Sequence, residues 1–154
     1  MSSVTINLPT SYPWVVASIF SIVPVVQWQM TLVVQAREKA GIPYPQLYAE
    51  KAEQIASVDA MIFNCVQRAH QNTLENVPPM VLSTLISAIR YPKVAAIGCG
   101  IWSLARVFYT MGYSTGEPSE RSRGFTSLYV QLLMSILAGK VVFDLIRDWI
   151  RANV

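Results

Sequence analysis

The sequence predicts an all-α integral membrane protein, a bundle of four spanning helices forming a single domain over residues 1–154. Three observations predict it. Hydrophobic residues make up 53% of the chain and charged residues 14%, leaner in charge than a soluble domain. No charged side chain precedes Arg37. Four apolar stretches, residues 13–36, 59–89, 94–113 and 124–149, alternate with short polar joints, and each reaches the roughly 20 residues that a span needs. All four must be helices, because an open strand edge leaves backbone groups unpaired in hydrocarbon.

The first span is apolar from Trp14 to Val34 apart from Ser18, Ser21, Gln27, Gln29 and Thr31. It lacks a basic leading region and is too long for a cleaved signal peptide, so it is expected to stay in the mature protein. An interruption is expected at Pro24, and others in the second span at Pro78 and Pro79, since each proline removes a backbone donor. The first joint, residues 37–57, contains "GIPYP" and reads as loop. The second joint, "RYPK" at 90–93, reads as a tight hairpin. The third, "GYSTGEPSERSRG" at 112–124, reads as a loop on the same side as the first.

With four spans, residues 37–57 and 112–124 share one side and both termini share the other with "RYPK". Arg37, Lys39, Lys51, Arg121 and Arg123 then face Arg90, Lys93, Arg147 and Arg151, and five against four leaves the orientation open. The net charge of +3 comes without a basic run or basic and aromatic interleaving, which argues against a nucleic-acid partner. Cys65 and Cys99 lie inside spans, without metal-ligand spacing, and read as buried small hydrophobes. One histidine, His70, is not enough for a zinc or haem site.

The second span raises the functional question. "FNCVQRAHQNTLENVPP", residues 63–79, sets Arg68, Asn72, Glu75 and Asn76 at i, i+4, i+7 and i+8 on one helical face, with His70 and Thr73 projecting elsewhere. In the third span Trp102, Arg106, Tyr109 and Tyr113 form another stripe. An ionisable residue in a bilayer costs at least about 2.5 kcal/mol, so such groups face a protein interior or a watery cavity. Plain readings stand beside the functional one: Arg68 and Glu75 as an ion pair gluing helices, Arg106 snorkelling, the two tyrosines as interfacial belt residues, and Arg121 and Arg123 as solvated loop charges. The surplus of arginine over Glu75, with amides and phenols nearby, suits a small peptide-like ligand with two carboxylates and one amine.

These two segments, "FNCVQRAHQNTLENVPP" and "RVFYTMGYSTGEPSERSRG", resemble the microsomal glutathione transferases of the membrane-associated eicosanoid and glutathione metabolism family, most closely the type-three branch. The resemblance covers about residues 10–150. It implies a homotrimer of four-helix protomers in the endoplasmic reticulum or outer mitochondrial membrane, with glutathione as co-substrate bound between subunits near the cytosolic face. Carried over residue by residue, it assigns glutathione binding to Arg68, Asn72 and Glu75, to Arg106, Tyr109 and Tyr113, and to Arg37 from the first joint. It assigns thiolate stabilisation to Arg123, which borders the fourth span, with Arg121 as the alternative. Asn76 stands where the leukotriene synthase branch has tyrosine, which weakens a narrow leukotriene reading.

The resemblance thus implies a transferase or peroxidase that activates glutathione against a lipophilic electrophile or lipid hydroperoxide. The competing reading is a non-catalytic lipid-binding or adaptor protein on the same fold. A transporter is disfavoured, since no repeated pair of broken helices is visible.

Overall fold

The computed structural model describes residues 9–154, so the part of the single domain assigned to residues 1–8 lies outside the described residues. The chain is all-helical, with no strand among the described residues: α1 (Tyr12–Phe20), α2 (Ile22–Ala40), α3 (Lys51–Ala56), α4 (Val58–Ala88), α5 (Pro92–Tyr113), a 3-10 helix (Pro118–Gly124) and α6 (Thr126–Asn153). Three stretches are long and apolar enough to cross a membrane: Tyr12–Ala40, Pro92–Tyr113 and Thr126–Asn153. At 31 residues α4 has the length, but its polar face keeps it out of that group. Large apolar side chains such as Trp14, Phe20, Ile97, Leu104, Leu132 and Phe143 remain exposed on the outer faces. That outer surface fits an integral membrane protein.

The first apolar stretch is broken at Ser21, three residues before the proline that causes it. Pro24 has no N–H for the Phe20 carbonyl and its ring crowds that group, so α1 ends at Phe20 and α2 restarts at Ile22. Gly41 closes α2 in the left-handed region, with φ of 66°, which suits a residue without Cβ. Pro78 and Pro79, by contrast, do not end α4, which stays helical through both. The expected interruption there is corrected: the packed neighbours α2, α5 and α6 hold the helix on course despite two lost backbone bonds.

Both longer joints are more ordered than loop chemistry implies. The first contains α3, started by a reciprocal capping box in which Glu53 accepts from the Glu50 N–H at 2.7 Å and the Glu50 side chain accepts in return. The third folds back as the 3-10 helix against α5. A Cβ on Gly112 would lie 2.1 Å from the Glu120 carbonyl oxygen, and one on Gly124 would lie 2.3 Å from the Tyr109 Cβ, so only glycine allows this approach. The two joints sit at the same end of the bundle, where Lys39, Asp59 and Ser114 border one small hollow. At the opposite end the tight turn before Pro92 is tied to α6 by an Arg90–Asp148 ion pair.

Candidate functional site

The polar centre of the bundle is built on Thr73, whose side chain is fully buried. Its Oγ1 accepts from Gln29 Nε2 at 2.8 Å, from Arg106 Nε at 3.0 Å and from Arg106 Nη2 at 2.7 Å, and donates to the Ala69 carbonyl at 3.0 Å. Gln29 also donates to Thr110 Oγ1 at 2.6 Å. Three helices therefore meet through one hydroxyl. Thr73, at i+5 from Arg68, does project away from the Arg68–Glu75 face, and the buried polar centre forms on that other face of α4, where it meets α2 and α5. Gln29 was legible only as an unexplained amide inside an apolar span.

Arg106 is buried at 3% exposure, with no carboxylate among its described partners. Its Nη2 donates to Asn72 Oδ1 at 2.9 Å, its Nη1 lies 3.5 Å from Ser127 Oγ, and its guanidinium stacks 4.2 Å from the Tyr109 ring centroid. Desolvating a cation without a counter-ion is costly, and these neutral acceptors and π faces offset only part of that cost. The uncompensated charge opens on a cleft of about 260 Å³ lined in part by Asn72, Asn76, Trp102, Tyr109, Ser127 and Gln131. A guanidinium so placed has the chemistry to receive an anionic oxygen.

The third-span stripe lies inward as spaced: Trp102, Arg106, Tyr109 and Tyr113 are all buried. The two tyrosines pack edge to face, 5.7 Å apart, against Cys65 and Ala69 of α4. Arg121 reaches back from the 3-10 helix, its Nη1 3.4 Å from Tyr113 Oη. Arg123 turns outward and pairs with Glu120.

On α4, Arg68 Nη1 meets Glu75 Oε1 at 3.0 Å, within one helix rather than between helices. Both side chains are nearly half exposed, at 43% and 47%, so in a single subunit the pair lies open on the surface. Arg37 sits elsewhere. Its guanidinium lies between the Tyr44 and Phe63 rings at 4.4 and 4.6 Å and donates to the Gln46 carbonyl at 2.7 Å, holding the first joint in place.

His70 leaves its Nδ1 buried and unpartnered, and the free thiols Cys65 and Cys99 are both buried. Among the described residues no group of three or more metal-ligating side chains gathers. A larger hollow, about 680 Å³, is an apolar groove between α1 and α5 with Trp14, Ile97, Gly100 and Leu104 in its walls. It contains none of the polar constellation, so size alone does not mark the site.

One comparison with known families bears on this geometry. Residues 15–140 match the model of the MAPEG family. The chain belongs to the MAPEG family. The match takes in all of the apolar stretches up to the middle of α6, and with them Arg68, Asn72, Glu75, Arg106, Tyr109 and Tyr113. Membership points to glutathione-related or eicosanoid metabolism at a membrane, in agreement with the apolar helices of this MAPEG chain.

Proposed function

We propose that the protein is a membrane-embedded glutathione transferase or glutathione-dependent lipid hydroperoxide peroxidase of the type-three microsomal branch. The observation that carries this reading is the buried, uncompensated Arg106 on a cleft with Asn72 and Tyr109, beside the open Arg68–Glu75 pair. Glutathione carries two carboxylates and one ammonium, and the donor set answers each: arginines fork onto carboxylates, and Glu75 offers an acceptor for the amine. On this reading α4 also crosses the membrane, bringing the spans to four, and its exposed polar face is covered by a neighbouring subunit of a homotrimer. The protein then resides in the endoplasmic reticulum or outer mitochondrial membrane with its site toward the cytosol.

The chemistry starts from the thiol. A free thiol titrates near about 8.5, so little of it is thiolate at neutral pH, and each unit by which a guanidinium lowers that value is about 1.4 kcal/mol of preference for the charged form. The thiolate sulfur then attacks an electrophilic carbon to give a thioether, either displacing a leaving group that departs as its anion or adding to an activated double bond whose electron pair then takes a proton. Alternatively it attacks the terminal oxygen of a lipid hydroperoxide, leaving a glutathione sulfenic acid and, after protonation, a lipid alcohol. A second glutathione thiol condenses with the sulfenic acid to give disulfide and water. Arg123 is the proposed thiolate partner and Arg121 the alternative. Arg121 already leans on Tyr113, whereas Arg123 would have to leave Glu120.

The apolar α1–α5 groove favours the second reading, a lipid-binding adaptor. Ultraviolet difference absorbance on purified protein titrated with glutathione near neutral pH separates the two. The enzyme reading expects a saturable thiolate band. No band and no calorimetric binding would overturn it in favour of the adaptor.

A further inference from the structure

The first joint is held more firmly than a connector requires. Arg37 grips the Gln46 carbonyl at 2.7 Å, and Gln46 Nε2 donates to Glu53 Oε2 at 2.6 Å. Asn64 of α4 clamps Ala49 from both sides, its Oδ1 accepting the Ala49 N–H at 2.8 Å and its Nδ2 donating to the Ala49 carbonyl at 3.0 Å. Ile42 and Ala49 are buried in one core cluster with Phe63 and Val66. Between these fixed points stands Tyr48.

Its ring leaves the joint and crosses to α4, where the hydroxyl donates to Gln71 Oε1. The Arg68 side chain lies near the same hydroxyl. Arg68, Gln71 and Glu75 stand at i, i+3 and i+7, one stripe of the helix. A long, half-exposed arginine is ordinarily free among many rotamers. Here it is paired with Glu75, and the Tyr48 hydroxyl stands beside it. Burial raises the Tyr48 phenol above its usual range, against the pull of the Arg68 cation, so the hydroxyl keeps its proton and donates at neutral pH.

We propose that Tyr48 is a positioning residue of the glutathione site, delivered by the clamped first joint to fix the Arg68 guanidinium and the Gln71 amide in the orientation that receives the peptide. This rests on the glutathione reading above. Tyr48 acts before the chemistry: it orders donors that hold the ligand and has no part in forming the thiolate.

The test is calorimetric titration of glutathione into the full-length protein, wild type and Tyr48→Phe, with turnover and thermal unfolding measured on the same preparations. Tyr48→Phe is expected to weaken binding and raise KM roughly tenfold, the size of one lost hydrogen bond to a charged group, with kcat and the melting temperature unchanged. Gln71→Leu is expected to weaken binding similarly, and the double variant to fall short of the product of the two. Tyr44→Phe is expected to do nothing, since that ring serves the Arg37 stack instead.

Unchanged affinity in Tyr48→Phe beside a binding wild type would overturn the proposal and leave the glutathione reading standing. Loss of affinity together with a clear drop in melting temperature would overturn it too, making Tyr48 a structural strut. A wild type that binds no glutathione would overturn the glutathione reading itself, and this proposal with it.

Discussion

Thr73 shows how much can rest on one hydroxyl. Thr73→Val keeps the shape but removes the acceptor shared by Gln29 and Arg106, leaving a buried cation short of partners. The expected cost is about 2–3 kcal/mol of stability, read as an earlier thermal melt in detergent. Glutathione affinity should fall with it, since Asn72 loses a fixed neighbour. The loop arginines separate by a different measurement. Arg123→Ala is expected to leave binding largely intact but abolish the thiolate band. If Arg121→Ala lost the band while Arg123→Ala kept it, the roles of the two would be exchanged. At this scale the sequence was legible where charge sat in an apolar run, as at Arg68 and Arg106. It was not legible at Thr73 or Gln29, since small polar residues are ordinary in spans and only packing reveals which of them meet.

Among the elements, the 3-10 helix is the one whose placement depends most on absent side chains. Gly112→Ala and Gly124→Ala each drive a methyl into backbone, at Glu120 and Tyr109. Each should cost about 1–3 kcal/mol by overpacking and pull Arg121 away from Tyr113. Gly139→Ala in α6 meets open space and should leave the melting temperature unchanged or slightly higher. Thermal unfolding of the three variants checks the contrast. Hydropathy located the long helices to within a few residues, because burial in lipid or protein demands apolar faces of helical length. It located the Ser21 break only indirectly, since the consequence of Pro24 falls one turn upstream. It missed α3 because a six-residue helix defined by its cap carries no hydrophobic period.

For the whole molecule, the proposed four-span topology makes a prediction about sidedness. Cysteines placed at exposed Lys51 and Ser119 should react with a membrane-impermeant maleimide from one side of a sealed vesicle, and cysteines at Lys93 and Asn153 from the other. The native Cys65 and Cys99 are buried and should contribute little background. Labelling of Lys51→Cys and Ser119→Cys from opposite faces would rule out the four-span arrangement. Subunit number has no counterpart in periodicity, because a lipid-facing stripe and a subunit-facing stripe look alike in sequence. If α4 crosses the membrane as proposed, the half-exposed Arg68–Glu75 pair is the better clue, since ions left open at that depth call for a polar cover.

The knot at Gln29 also has a mechanical meaning. α2, α4 and α5 are riveted where Gln29, Thr73 and Thr110 meet, and none can slide past another without breaking short hydrogen bonds in a dry interior. α6 takes no share in that rivet among the described bonds, and its polar ties to α4 and α5 near the cleft are Ser127, Gln131 and Ser135. The bundle is then pinned at its polar centre by three helices, with α6 laid against them through apolar packing about Met134. Phe125 and Leu128 line the cleft from a different stretch of the chain than Asn72 and Arg106, so one wall of it is greasy and the other polar.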